Sequence, residues 1–207
     1  LYPTRGYLTG ARVGMLGAGP IVALDRHTGE ERWRFQLPAA PGYSGSGGSV
    51  APGAVVGDRL ITGSENGSVY ALRLSDGALL WQRTDTTVRK IFYGTAALLF
   101  EGNVTLVRSD NQIEALDPET GALRWSHSAR MTSTPQPCGE YLCLTSGRMQ
   151  VHASDGEMVW AYGADSIGWT SSGRHTVGPD GTVYVGVTRN HTEATFEALR
   201  IPISLLP

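Results

Sequence analysis

Two cysteines, five histidines and a glycine-serine run are the residues through which this 207-residue chain could do chemistry. Cys138 and Cys143 stand in Pro137-Cys138-Gly139-Glu140-Tyr141-Leu142-Cys143, which reads as two strand ends joined by a Gly-Glu turn. In a two-residue hairpin Cys138 faces Tyr141. Cys143 then lies on the same face one pair further along, a diagonal that a disulfide reaches only if the turn is widened. The pair is therefore either a bridge, which implies an oxidising compartment, or two buried thiols. His27, His127, His152, His175 and His191 show no pair at ligand spacing, so no metal site is expected. Ser44-Gly45-Ser46-Gly47-Gly48 has the composition of a phosphate-cradling loop but lacks the lysine and the following helix, and reads as a connector. Neither a nucleophile elbow nor a His/Asp partner set appears. No catalytic residue is assigned, and a non-enzymatic chain is expected.

A second set of side chains suits binding rather than turnover. Tyr43, Phe92, Tyr93, Arg130 and Trp169 fall within the segments 41–49, 88–95, 130–134 and 167–172, and three of these four segments carry an aromatic just before a small, polar pair. Aromatics rimmed by hydroxyls and arginines suit a peptide strand, a sugar or a flat ligand. The competing reading is that Tyr43, Tyr93 and Trp169 plug a narrow channel.

Composition narrows the partners. A formal net charge of −2 offers no basic field for nucleic acid, and no apolar run approaches the roughly 18 residues of a membrane helix. With 41% hydrophobic residues the chain can bury a substantial core. Arginine outnumbers lysine sixteen to one, Lys90 being the lysine; the bias of a GC-rich genome explains this more simply than a need for guanidinium forks. Asn66, Asn103 and Asn190 head Asn-x-Ser/Thr triplets, which are ordinary turn and strand sequences as well as glycan acceptors. The chain begins at Leu1 without a signal-peptide pattern and is expected to be processed, trimmed or partial.

The elements that position these residues repeat. Trp33, Trp81, Trp125 and Trp160 each follow a glycine by four residues, namely Gly29, Gly77, Gly121 and Gly156. A unit of roughly 40 residues that repeats its turn and its aromatic signals a radial array of β-sheets. Before each turn the sequence alternates, as in Ser68-Val69-Tyr70-Ala71-Leu72 and Gln112-Ile113-Glu114-Ala115-Leu116, with one apolar face and one mixed. The Asp-x-x-Thr-Gly segment is then a hairpin turn in which Asp25 or Asp117 accepts amide hydrogen bonds and the glycine takes positive φ. The tryptophan follows on the outgoing strand, able to fill the wedge between sheets and offer its N–H to a carbonyl.

The phrases at 23–33 and 115–125, with pattern Ala-x-Asp-x-x-Thr-Gly-x-x-x-Trp, resemble the tryptophan-docking repeat of the pyrroloquinoline-quinone-like (PQQ-like) β-propeller family. Residues 71–81 depart from it, with Arg73 at the aspartate position and Ser75-Asp76-Gly77 as the turn. The fourth copy, 154–160, keeps turn and tryptophan and reads as losing a residue between them. The resemblance implies an all-β propeller of four-stranded antiparallel blades, with the radial architecture of WD40 proteins. We expect one domain over 1–207, with about five blades near 1–38, 50–84, 96–128, 134–163 and 173–207, or the ordered part of a six- to eight-bladed ring. It also implies that Trp33, Trp81, Trp125 and Trp160, with Gly29, Gly77, Gly121 and Gly156, are structural docking positions. Quinone dehydrogenases of the related superfamily carry adjacent cysteines, a calcium carboxylate set and a tryptophan floor, none of which is recognisable here, so no cofactor is assigned. The expected function is a non-catalytic, extracytoplasmic protein-binding scaffold, periplasmic, cell-surface or secreted, serving as an accessory subunit of a larger envelope complex. Its partner would be a protein or peptide docking at Tyr43, Phe92, Tyr93, Arg130 and Trp169, with membrane association only through an anchor outside this chain. A lectin-like propeller and a fragment of a quinoprotein oxidoreductase are the alternatives.

Overall fold

A computed structural model of the chain describes residues 20–38, 53–64, 67–84, 97–107, 112–128, 135–146, 148–162, 169–170, 175–189 and 193–201. Every element among them is a strand, in five antiparallel sheets. The first sheet pairs β1 (Ile21–Leu24) with β2 (Glu31–Phe35). The second runs β3 (Ala54–Val56), β4 (Arg59–Gly63), β5 (Ser68–Arg73) and β6 (Leu79–Thr84) in chain order. The third repeats this with β7 (Leu98–Phe100), β8 (Asn103–Val107), β9 (Gln112–Leu116) and β10 (Leu123–Ser128), and the fourth with β11 (Gln136–Cys138), β12 (Tyr141–Ser146), β13 (Arg148–His152) and β14 (Met158–Tyr162).

The fifth sheet is built differently. β15 (Trp169–Thr170) and β16 (His175–Val177) pair with opposite ends of β17 (Val183–Arg189), while β18 (Glu193–Leu199) pairs along its whole length on the other side. β15 and β16 are thus two pieces of one interrupted first strand. Of the first blade expected at 1–38, residues 1–19 lie outside the described residues.

Glycine ends the first hairpin of each sheet from the second to the fifth, at Gly57, Gly102, Gly139 and Gly181, all at positive φ. The last hairpins of the second, third and fourth sheets turn at Gly77, Gly121 and Gly156, also at positive φ, as Gly29 does in the first sheet. The fourth copy loses its residue inside the turn and not between turn and tryptophan. Gly156 N bonds back to Ala153 O, three residues away, where Gly121 N reaches four back to Asp117 O.

A register shift recurs just before the tryptophan. A small residue faces each indole strand position (Ala23↔Trp33, Ala71↔Trp81, Ala115↔Trp125, Val151↔Trp160), and the pairing slips by one residue beside it. A bulge of this kind re-aims a side chain, and here it turns the indole toward the following sheet.

The core is four wedges between successive sheets. Ile21, Ala23 and Trp33 meet Leu60, Tyr70 and Leu72 in the first. Ile61, Val69 and Ala71 meet Val104, Leu106 and Leu116 in the second. Ile113 meets Leu142 and Leu144 in the third, and Met149 and Val151 meet Val183 in the fourth. A middle sheet is therefore covered on both sides. The mixed face is buried as well as the apolar one: Tyr70, Glu114 and Gln150, at matching positions of β5, β9 and β13, are all buried.

Candidate functional site

The repeat positions build a series of indole seats. Trp33 Nε1 donates to Leu74 O (2.9 Å), Trp81 Nε1 to Pro118 O (3.1 Å) and Trp125 Nε1 to Ser154 O (2.9 Å), each acceptor lying in the turn of the next sheet. The ring then covers that turn's glycine. A Cβ added at Gly77 would lie 2.6 Å from Trp33 Cε3, and one at Gly121 2.7 Å from Trp81 Cε3. Glycine is needed twice over, for its backbone conformation and because an aromatic ring occupies the space of its missing side chain. Trp160 packs in the fourth wedge with Val177, Leu199 and Ile201.

The turns are held by side-chain hydrogen bonds and ion pairs. Asp117 Oδ1 accepts from the amides of Glu119 and Thr120 (both 2.9 Å), and Arg124 pairs with Oδ2. The Thr120 amide, ahead of Arg124, holds the Asp117 carboxyl down at about 2. Asp25 is lowered in the same way, by the amides of His27 and Thr28 first and Arg32 after them. Asp76 takes over where the aspartate of the phrase is missing, its carboxyl lowered first by the Ala78 amide and then by Arg73.

Cross-sheet polar contacts add orientation. Arg59 of β4 reaches Glu119 in the third sheet's turn (2.5 Å) as well as its neighbour Asp58 (2.9 Å). Arg83 of β6 faces the buried Glu114 at 3.8 Å, and His127 Nε2 donates to Asp155 O at 3.1 Å. The sequence reading missed these contacts. Its one available signal was Glu114 itself, a carboxylate between Ile113 and Ala115 in the middle of a strand.

Cys138 and Cys143 form a disulfide with Cα atoms 5.8 Å apart. The turn is not widened, contrary to the geometric expectation: Cys138 pairs with Tyr141 across Gly139-Glu140, and Cys143 pairs with Gln136. Strand twist, which is large in short hairpins, shortens this diagonal enough for bridging. Beside the bridge His175 is buried, Nδ1 lying 3.4 Å from Thr145 Oγ1 and Nε2 without a partner among the described residues. Burial pushes its pKa down to about 4, with the Cys143 backbone acting in the opposite sense.

Tyr43, Phe92, Tyr93 and Arg130 lie outside the described residues. Trp169, read as part of a connector, belongs to β15 and pairs through its backbone with Arg189. β6, β10 and β14 finish at the end of each sheet opposite its first and last hairpin turns, and the next sheet's first strand starts at that end. Among the described residues no three His, Cys, Asp or Glu side chains come together as a metal site, and no helix is long and apolar enough to cross a membrane.

Successive four-stranded sheets locked by forward-reaching tryptophans define a β-propeller of the PQQ-like repeat type. A family profile described as "Outer membrane protein assembly factor BamB" matches residues 17–162. The chain belongs to that family. It is 30% identical over 111 residues to the outer membrane protein assembly factor BamB of Yersinia pestis, a match covering 52% of this chain and 27% of that protein. The crystal structure of BamB from Moraxella catarrhalis superposes with a TM-score of 0.64 at 18% identity, over 88% of this chain and 56% of that one. A quinohemoprotein alcohol dehydrogenase of Pseudomonas putida shares the fold at a TM-score of 0.56 and 17% identity, over 76% of this chain and 30% of that one. The chain thus spans about a quarter of the curated relative and about half of the solved one.

Proposed function

We propose that this chain is a non-catalytic, protein-binding propeller module that works outside the cytoplasm as an accessory subunit of an envelope complex. Membership of the BamB family carries this reading, since the relative's name is that of an assembly factor. The disulfide supports an oxidising compartment. The seats support a scaffold role, because three of the five tryptophans are spent on holding one sheet to the next. On this reading the partner, a protein or extended peptide, docks on the connectors that bear Tyr43, Phe92, Tyr93, Arg130 and Trp169. Loops on a rigid frame can vary without disturbing the wedges.

Affinity capture from a bacterial envelope, with the captured proteins identified by mass spectrometry, tests the role. A component of an outer-membrane assembly complex is the expected catch. A Tyr93→Ala/Trp169→Ala variant should lose well over the ~1 kcal/mol of a neutral rim position while its melting curve stays unchanged. Retained binding in that variant, with loss on substituting Arg26, Glu119 and Asp155, would move the surface to the turn side. Dye reduction on adding pyrroloquinoline quinone would favour the oxidoreductase alternative.

A further inference from the structure

A row of side chains crosses the turn end of the third sheet and another that of the fourth. In the third sheet Leu99, Val104, Leu116 and Leu123 stand in register on the four strands. Pro137, Leu142, His152 and Met158 hold the same places in the fourth, one imidazole among apolar groups. The preceding sheet covers only the middle of each row. Val104 and Leu116 are buried in the second wedge and Leu142 in the third, whereas Leu99, Leu123 and Met158 are 42%, 43% and 45% exposed. Pro137 is exposed as well. One exposed leucine is ordinary on a protein surface, but here the same end of two packed sheets leaves four apolar row ends uncovered.

The charges at this end do not balance. Glu101 and Glu140 stand in the first hairpin turns of these two sheets, Asp155 and Glu157 in the last turn of the fourth, and all four are exposed. Among the described residues no cation pairs with any of them. The arginines nearby are engaged by other acids, Arg124 by Asp117 and Arg59 by Asp58 and Glu119. In the first and second sheets the acids are matched: Asp25 by Arg32, Glu31 by Arg34 and Asp76 by Arg73, while Glu30 shares its turn with Arg26. The unpaired carboxylates therefore gather beside the uncovered row ends, Glu101 near Leu99, Glu140 near Pro137, and Asp155 and Glu157 near Met158.

This combination selects a partner by its chemistry. Apolar ends gain by leaving water, while four unpaired carboxylates repel an anionic surface, whether nucleic acid or acidic lipid, and favour a cationic one. A basic but wholly polar chain would satisfy the charge and leave the apolar ends wet. A segment that alternates basic and apolar side chains answers both.

We propose that the turn end of the third and fourth sheets is a docking surface for a basic amphipathic segment of a second protein, its apolar side chains over Leu99, Leu123 and Met158 and its cations toward the four carboxylates. The surface goes beyond the connector-face reading above and stands apart from it, since it lies at the opposite end of the sheets.

Amide NMR of the isotope-labelled chain, titrated with three synthetic peptides, tests it. Acetyl-Lys-Leu-Lys-Leu-Lys-Leu-amide carries both features, a version with serine for leucine keeps the charge alone, and a version with glutamate for lysine keeps the apolar side chains alone. The first should shift the amide signals of residues 99–102, 138–141 and 155–158 to saturation. The serine peptide should bind about 5-fold more weakly for want of apolar burial, and the glutamate peptide should leave those signals unmoved. A Glu101→Gln/Glu140→Gln variant should bind the first peptide about 5-fold more weakly, the scale of two exposed ion pairs, with its melting curve unchanged. Glu30→Gln, at the turn end of the first sheet, should bind like the parent. So should Tyr93→Ala/Trp169→Ala, which separates a failure here from a failure of the connector-face reading. An absence of shifts at these amides, equal affinity for the leucine and serine peptides, or parental affinity in Glu101→Gln/Glu140→Gln would each overturn the assignment.

Discussion

At a seated turn a single methyl group is decisive. In Gly121→Ala the added carbon would sit 2.7 Å from the Trp81 ring at a φ of 72°. Indole displacement and left-handed strain add up to roughly 3 kcal/mol or more, against about 1 kcal/mol for strain alone in Gly57→Ala. Urea denaturation of the two variants measures the difference, and equal losses would mean that the ring does not hold that space. His175 gives a pH signature of its own. The unfolded imidazole takes up a proton below about pH 6.5, while the folded ring stays neutral down to about 4. Between those values the unfolded state binds more protons, so stability falls as pH falls, by up to roughly 3 kcal/mol over the window. Chemical denaturation at a series of pH values should show this slope, and His175→Leu should flatten it. The lowered carboxyls of Asp25, Asp76 and Asp117 act only in more acid solution, their contribution being lost as pH falls below the usual carboxylate range.

The bridged β11–β12 hairpin closes a short loop, which the chain-entropy relation values at about 2 kcal/mol. A Cys138→Ala/Cys143→Ala variant should lose about that much in denaturant, and the non-reduced parent chain should lack two hydrogens by mass. Two free thiols in the parent would contradict the bridge and the compartment read from it. What was legible at this scale was whatever is local in sequence. Turn glycines, the strand before each turn and the tryptophan after it follow from spacing alone. The tryptophan's direction did not, because it depends on a bulge at residues such as Leu80 and Arg124 that look like any strand residue. Strand twist, which brings Cys143 to Cys138, leaves no mark in the letters either. The Arg59–Glu119 and Arg83–Glu114 contacts were hidden for a further reason: each joins different sheets, and no periodicity links their members. The connector face proposed for the partner rests on sequence contrast alone, its residues being the ones that follow no repeat.

At the scale of the whole molecule the described sheets pack on their chain neighbours through the four wedges, so stability should be distributed as in other repeat arrays. Trp33→Ala removes a buried indole and its bond to Leu74 O, a change of about 3–5 kcal/mol for a core tryptophan. Hydrogen exchange should rise in β1, β2 and the Leu74 turn and stay near parental in the fourth and fifth sheets. A uniform rise would reveal a single cooperative unit instead. The forward reach of every seated tryptophan has a consequence for descent. Each junction needs one half from the end of a repeat and the other from the next repeat's turn, so an in-frame gene duplication of one unit creates a new junction whose halves already fit. Blade number in such a lineage can therefore change by recombination, with no new contact having to be invented, while the connectors drift freely enough to leave repeat lengths as unequal as the 48, 44 and 35 residues between this chain's successive tryptophans.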